Sequence, residues 1–294
     1  MSRVHDALRR AEQGGESGRR MRPPAPRIPG LGDLLSEVQE VPYTPAPGAF
    51  VIDPTKAHDA HSEEFRTLRT RLNHLQKLNP IRTVVVTSAC PAEGKSFTSV
   101  NLALAEAQLV DNATLLADFD FRRPVLHNIF QIDRSPGATD VLLGKVPLSA
   151  AIKRVAGTNL YLLPAGGAVL NPLEMINLDE TKALIEQLPL VFNWVLLDSP
   201  PLLFAADANL LSTMADGTIL VVRIGVTTID SVTRAMQSLC ENNVLGIVAN
   251  GARAGELYSK YTYYYSSYYY KEKKAPKEEA EAETETEAAA AEEE

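Results

Sequence analysis

The sequence has few of the residues that would place a protein outside the cytosol. Among its 294 residues there are two cysteines, Cys90 and Cys240, which cannot build a disulfide framework and suit a reducing compartment. No apolar run approaches the roughly 18 residues that a membrane-spanning helix needs, and no charged-then-apolar leader opens the chain. The five histidines show no metal-ligand spacing. We therefore expect a cytoplasmic protein without a membrane span of its own.

An excess of positive charge is also missing. The formal net charge is −8, and residues 275–294, with nine glutamates and one lysine, account for all of it. The rest of the chain is close to neutral and lacks the positive field expected of a general nucleic-acid binder. We therefore predict no nucleic-acid partner.

Composition divides the chain into four parts. Residues 1–50 combine a short helical start at 4–11 with a Pro-rich stretch that predicts a disordered linker. The helical start is interpreted as a frayed terminus or a protein-docking element ahead of a membrane-surface helix. Residues 51–257 are the predicted folded domain. Residues 258–270 hold a tyrosine cluster, and residues 271–294 form a predicted disordered acidic tail.

In the predicted domain, short β-branched runs alternate with helical patterns. This alternation favours an α/β fold with a mostly parallel β-sheet flanked by helices, as in P-loop NTPases. The predicted strands are continuous apolar runs, as in sheets covered on both faces. They span residues 83–87, 114–117, 160–163, 194–197, 218–222 and 245–249. The predicted helices span residues 60–78, 94–110, 173–187, 206–215 and 229–242.

The strongest motif follows the first of these strands. The segment Ser88-Ala-Cys-Pro-Ala-Glu-Gly-Lys-Ser96 separates a strand from an amphipathic helix, which is the context of a Walker A loop. Its backbone N–H groups would bind phosphates, Lys95 would reach the β/γ oxygens and Ser96 would bind Mg²⁺. We predict ATP and Mg²⁺ as cofactors. The predicted nucleotide-binding residues here are Ala92, Glu93, Gly94, Lys95, Ser96 and Phe97.

Ala92 stands where related loops often have glycine. If this position needs a positive φ, alanine costs on the order of 1 kcal/mol, which weakens the phosphate cradle without abolishing it. An ordinary strand-to-helix turn that happens to contain Gly-Lys-Ser is the alternative.

Aspartates end two further predicted strands. Asp118 and Asp120 lie two residues apart, hence on the same side of an extended segment, and Asp198 ends another apolar strand as a Walker B residue does. Ligands bind at the carboxyl ends of parallel strands, so we expect these side chains to share one crevice with Lys95 and Ser96. An aspartate alone at such a position is more often a strand-end cap or a turn residue than a ligand, and it is their joint placement that indicates a site.

With these motifs, the sequence resembles the bacterial tyrosine kinases of capsule and exopolysaccharide loci, the BY-kinases. Within that family it looks like the soluble autokinases whose membrane adaptor is a separate chain. The likeness runs from about residue 60 to residue 270 and includes Walker A, the Asp-x-Asp-x-Arg segment called Walker A′, Walker B and the tyrosine cluster. It also includes residues 136–144, 163–166 and 171–174.

The resemblance implies an ATP-dependent protein-tyrosine autokinase. By motif position, Lys95 stabilises charge on the β/γ-phosphates, Ser96 binds Mg²⁺ directly, and Asp120 and Asp198 position the metal. Asp118 is the candidate acceptor of the tyrosine proton, since a phenol with a pKa of about 10 is a poor nucleophile at neutral pH.

Two further residues come from the same likeness. Arg122 would contact a phosphate or an interface, or else cap the strand-end carboxylates. Asn250, at the end of the last predicted strand, resembles the adenine-contacting asparagine of related ATPases.

The tyrosine cluster is the second discriminating feature. The predicted phosphoacceptors are Tyr258, Tyr261, Tyr263, Tyr264, Tyr265, Tyr268, Tyr269 and Tyr270. Thirteen extended residues span on the order of 40 Å, so such a segment enters a neighbour's crevice more readily than its own. The alternatives are a low-complexity tail or an aromatic strip for single-stranded nucleic acid, and the acidic run that follows argues against the latter.

The first helix of the domain suggests how neighbours assemble. Its apolar stripe for the sheet comprises Phe65, Leu68, Leu72 and Leu75. Glu63, Arg66 and Arg69 lie on another flank and match the Glu-x-x-Arg-x-x-Arg motif by which the family's subunits form rings. A solvated face with one Glu63–Arg66 pair is the alternative.

The resemblance also implies partners and a location. They are an inner-membrane polysaccharide co-polymerase that recruits the kinase to the membrane periphery, and a protein-tyrosine phosphatase.

Two rival functions share part of this pattern. Partition-type or septum-positioning ATPases, of the ParA and MinD kind, have the same sheet and aspartates, but carry an additional lysine where this chain has Cys90. A non-catalytic nucleotide-binding scaffold would also fit the motifs.

Overall fold

The computed structural model describes residues 34–52, 60–239 and 244–252. The predicted helix at 4–11 and all eight predicted phosphoacceptor tyrosines lie outside these residues, as do the predicted boundaries between residues 257 and 271.

The core of the structure is one eight-stranded sheet. In chain order, the strands are β1 (Gln39–Val41), β2 (Thr83–Ser88), β3 (Thr114–Asp118), β4 (Lys153–Val155), β5 (Leu160–Leu163), β6 (Trp194–Asp198), β7 (Gly217–Arg223) and β8 (Val244–Asn250). Their order across the sheet is β1-β4-β5-β3-β6-β2-β7-β8. The strands from β5 to β8 in this order pair in parallel, whereas β4 is antiparallel to β5 and parallel to β1. The predicted α/β fold with a mostly parallel sheet is confirmed.

Helices connect the strands. They are α1 (Ala60–Leu78), α2 (Lys95–Ala107), α3 (Leu126–Phe130), α4 (Ala138–Leu142), α5 (Leu148–Ala151), α6 (Pro172–Asn177), α7 (Asp179–Gln187), α8 (Asp207–Met214) and α9 (Ile229–Ser238). The predicted helix over 173–187 is divided in two, because Leu178 adopts an extended conformation with ψ 147°. Within the described residues, no helix has the length and apolar character needed to cross a membrane.

The predicted linker over residues 1–50 does not hold for its described part. β1 lies inside that range, Leu34 is buried, and the amide of Ala46 donates to the carbonyl of Ile129 over 2.8 Å. The strand was missed because it is short and polar, with Glu40 exposed and 3.5 Å from Arg154 on β4. An edge strand of this kind has no apolar run to reveal it.

The central strands explain why the sheet was predictable. Val84, Val85 and Val86 of β2 are completely buried, as are Trp194 and its successors on β6. The predicted stripe of α1 is confirmed: Phe65 and Leu72 are buried in the core under this helix, and Leu68 and Leu75 pack against it. The carboxyl ends of the parallel strands are thereby held at one edge of a rigid sheet.

Candidate active site

The loop between β2 and α2 has the geometry of a phosphate-binding cradle. Ala92 adopts a positive φ of 62°, which is the costly conformation considered for this position. Gly94, which precedes α2, has φ 96°, and a Cβ there would lie 1.8 Å from Nδ2 of Asn250. Glycine is therefore required at position 94 for both backbone conformation and space.

Lys95 and Ser96 begin α2 and meet the ends of two strands. Nζ of Lys95 lies 2.9 Å from Oδ2 of Asp120 and 3.7 Å from Oδ2 of Asp198. The hydroxyl of Ser96 donates to the same oxygen of Asp198 over 2.6 Å. The predicted convergence of these residues on one crevice is present in the structure.

Burial dominates the electrostatics of this cluster. Burial and the charge of neighbouring Asp120 raise the pKa of Asp198 above its ordinary value, although Lys95 and Ser96 oppose the shift. Burial alone would lower the pKa of Lys95, but the carboxylates of Asp198 and Asp120 outweigh it and raise that pKa. The lysine therefore stays cationic and offsets the negative charge of the site.

Asp118 has a different position. It is completely buried, and its oxygens accept the backbone N–H groups of Asp120, Val125 and Leu126 over 2.9–3.2 Å. Burial, followed by the charge of Asp198, raises the pKa of Asp118 to about 7. Asp118 thus shapes the loop that carries Asp120, and its role as a proton acceptor stays a prediction.

Three further predicted nucleotide-binding residues have side chains that contact other protein groups. They are Glu93, Phe97 and Asn250. The two carboxylate oxygens of Glu93 accept hydrogen bonds from the Cys90 amide and from the Thr227 hydroxyl. The ring of Phe97 packs edge-on against Phe65 of α1, with ring centroids 5.7 Å apart. Asn250 donates from Nδ2 to the carbonyl of Glu93 over 2.9 Å. Adenine contact by Asn250 remains a prediction.

Arg122 forms an ion pair with an aspartate at the start of α8. Its Nε and Nη2 donate to the two carboxylate oxygens of Asp207 over 2.7 and 3.0 Å. Asp207 is the first residue of α8 and is completely buried. This bidentate pair fixes the loop after β3 to α8, and no sequence signal marked Asp207 as its partner.

The predicted oligomerisation residues lie along α1. Arg66 pairs with Glu63 over 3.0 Å, and Nη1 of Arg69 donates to the carbonyl of Ala105 near the end of α2 over 2.8 Å. The Glu63–Arg66 contact is the pair that a solvated face would also form. The sequence did not indicate that Arg69 binds the helix that begins at Lys95.

A strand, a glycine-containing phosphate loop and a helix, with aspartates at two neighbouring strand ends, define a P-loop NTPase-like protein. Solved structures agree. The kinase domain of the tyrosine kinase Etk of Escherichia coli has a TM-score of 0.64 at 28% identity, covering 84% of this chain and 90% of that chain. The chimeric protein CapA2B2 has a TM-score of 0.65 at 26% identity, covering 74% and 93%. The septum site-determining protein MinD of Pyrococcus horikoshii, complexed with Mg-ADP, shares the fold at 21% identity and a TM-score of 0.51.

Sequence comparison identifies the family. The tyrosine-protein kinase YwqD of Bacillus subtilis is 35% identical over 216 residues, which cover 73% of this chain and 90% of that protein. The putative tyrosine-protein kinase CapB of Staphylococcus aureus is 30% identical over 219 residues, which cover 72% and 96%. No family model matches the chain. The chain belongs to the bacterial tyrosine-protein kinase family, as its motifs predicted.

Proposed function

We propose that the chain uses ATP to phosphorylate tyrosines in its own C-terminal segment, and does so between the subunits of an oligomer. The observation that carries this proposal is the cluster of Lys95, Ser96, Asp120 and Asp198 at the start of α2, next to a loop in which Ala92 and Gly94 adopt positive φ. A partition-type ATPase lacks a use for the tyrosine cluster. A nucleotide-binding scaffold would use the same phosphate-loop residues, so the formation of phosphotyrosine separates it from a kinase.

The same residues fit a magnesium ion. Oδ1 of Asp198 is buried and has no hydrogen-bond partner among the described residues, so an oxygen is available for a cation. Mg²⁺ prefers oxygen ligands and commonly binds through one or two carboxylates together with substrate phosphates. We propose that Ser96 binds it directly and that Asp120 and Asp198 position it. When bound, the ion would neutralise charge on the β- and γ-phosphates.

The chain's own residues would then carry the transfer. Lys95, now 2.9 Å from Asp120, would neutralise phosphate oxygens, and the loop amides from Ala92 to Phe97 would hold the triphosphate. Asn250 would contact adenine. We propose that Asp118, whose raised pKa of about 7 lies close to neutral pH, receives the proton of the attacking phenol.

The acceptors would come from a neighbouring subunit. We propose that Glu63, Arg66 and Arg69 support a ring-like homo-oligomer and that the cluster from Tyr258 to Tyr270 enters the next crevice. Each phosphate adds a charge of about −1.5 to −2 and would drive tails and subunits apart. An inner-membrane polysaccharide co-polymerase would recruit the kinase, a phosphatase would reset it, and exopolysaccharide polymerisation and export would be the regulated process.

The test is incubation of the pure protein with ATP and Mg²⁺, followed by phosphotyrosine detection and mass spectrometry of the C-terminal segment. We expect several modified tyrosines in the wild type and a loss of at least about 100-fold for Lys95→Met, because charge stabilisation at the phosphates is lost. Lys145→Met, at an exposed position, is the matched control and should keep activity. An unlabelled wild type would favour the scaffold, and equal labelling of Lys95→Met would refute the assignment.

A further inference from the structure

Glu93 belongs to the phosphate loop, yet its side chain is turned into the protein. The residue is only 1% exposed. Oε2 accepts the backbone N–H of Cys90 over 2.8 Å, and Oε1 accepts the hydroxyl of Thr227 over 2.5 Å. Both carboxylate oxygens are therefore engaged by protein groups on the inner side of the loop.

Thr227 lies in the segment that follows β7, the strand next to β2 in the sheet. Its hydroxyl oxygen also accepts the backbone N–H of Arg223 over 2.8 Å. The side chain of Arg223 in turn donates to the carbonyl of Ala92 over 3.2 Å. The end of β7 and the segment after it thus hold the phosphate loop, through Arg223 at Ala92 and through Thr227 at Glu93.

These contacts enclose the strained residue of the loop. Ala92 keeps φ at 62°, a conformation that costs a residue with a Cβ about 1–2 kcal/mol and persists only where its surroundings enforce it. Glu93 fixes the amide of Cys90 before Ala92, and Arg223 fixes the carbonyl of Ala92 itself. Glu93 and Arg223 are therefore the side chains that hold Ala92 in its strained conformation.

We propose that Glu93 and Thr227 are positioning residues for nucleotide binding. The side chain of Glu93 acts through the Cys90 amide, and Thr227 acts through that side chain. The loop is thereby held in its phosphate-binding conformation before the nucleotide arrives, which lowers the cost of binding. This inference rests on the proposed binding of ATP to the loop.

Thr227→Val is the main test, because valine has the same shape and lacks the hydroxyl. Glu93 then keeps a buried oxygen without its donor, and we expect the Kd of Mg-ADP and the KM for ATP to rise about tenfold, the worth of a hydrogen bond to a charged group. The kcat should change less than about threefold, because Thr227 makes no contact in the transition state. Thr227→Ser restores the hydroxyl and should restore the affinity. Thr233→Val, at an exposed position of α9, is the matched control.

A second measurement needs no nucleotide. Amide hydrogen exchange in peptides covering residues 88–97 should be faster in Thr227→Val and in Glu93→Gln than in the wild type, and Glu93→Gln keeps the inference testable if the valine variant folds poorly. Combining the two substitutions should cost less than the sum of the single effects, since both break one chain of contacts.

Wild-type affinity and unchanged exchange in Thr227→Val would overturn the inference, as would a serine variant that fails to recover. Failure of the wild type to bind Mg-ADP would instead refute the proposed function, and the exchange measurement would still decide the role of Glu93.

Discussion

Asp118 and Asp198 are direct neighbours in the register of β3 and β6, and both are completely buried. Burial raises the pKa of each, so the folded protein holds two carboxyl groups where their ionised forms are disfavoured. The ionised forms of Asp118 and Asp198 therefore lower the stability of the fold unless a positive charge compensates them.

Asp198→Asn should therefore stabilise the nucleotide-free protein at pH 8, by about 0.5–2 kcal/mol, because the amide removes a buried charge whose ionised form the fold disfavours. Urea unfolding measures this change. The same variant should lose the Mg²⁺-dependent part of its ADP affinity, which titration calorimetry with and without Mg²⁺ measures. A destabilised variant would show that Asp198 is a structural carboxylate.

Substitutions in the Arg122–Asp207 pair should lower the free energy of unfolding, unlike Asp198→Asn. The Arg122 side chain is 44% exposed, so we expect a loss of about 1–3 kcal/mol for Arg122→Gln, below the 3–5 kcal/mol of a fully buried pair. Asp207→Asn should cost less, because it removes the buried charge and leaves Arg122, whose partly exposed side chain water can solvate. In a double-mutant cycle from urea unfolding, additive losses would mean that the two side chains are not coupled.

Glu106 near the end of α2 provides a pH-dependent test. It is completely buried and accepts hydrogen bonds from Asn73 over 2.9 Å and from Asn112 over 3.2 Å. Burial raises its pKa from 4.5 to about 7. As the pH rises through this window, the unfolded chain loses the proton first, so the folded protein loses up to about 3 kcal/mol of stability.

Glu106→Gln lacks that loss. The free energy of unfolding of the variant, relative to the wild type, should rise between pH 5 and pH 8 by up to about 3 kcal/mol. Glu64→Gln, at an exposed position of α1, is the control and should keep a constant difference. A constant difference for Glu106→Gln would show that its carboxyl group titrates normally.

The strain at Ala92 predicts a contrast between two identical substitutions. Ala92→Gly should raise the free energy of unfolding by up to about 1 kcal/mol, because glycine tolerates a positive φ, although its more flexible unfolded chain offsets part of the gain. Ala103→Gly, in the interior of α2, should lower it by at least about 1 kcal/mol. Thermal unfolding of both variants decides the matter, and a loss at position 92 would mean that no strain is stored there.

Much of this site was readable from the sequence because its signals are local. The buried strands are continuous apolar runs, the helix at Ala60–Leu78 has the predicted bounds, and the phosphate loop has its glycine and lysine at fixed spacing. The sequence raised a positive φ at Ala92 only as a condition, and the structure has φ 62° there.

The remaining features depend on contacts between distant parts of the chain. Thr227 lies 134 positions from Glu93, and Asp207 lies 85 positions from Arg122. No periodicity joins such pairs. Strands β1 and β4 were missed for a related reason. Each has only three residues, two of them polar, and such a segment becomes a strand only when a neighbouring strand supplies its hydrogen bonds.

The hydrogen bond from Arg69 to the carbonyl of Ala105 joins one of the proposed oligomerisation residues to the C-terminal end of α2. With thirteen residues, α2 is about 20 Å long, and Lys95 stands at its opposite end. If a neighbouring subunit bound the Arg69 side chain, the carbonyl of Ala105 in the last turns of α2 would lose this hydrogen-bond donor. Subunit association and phosphate binding would then both act on α2, at its two opposite ends.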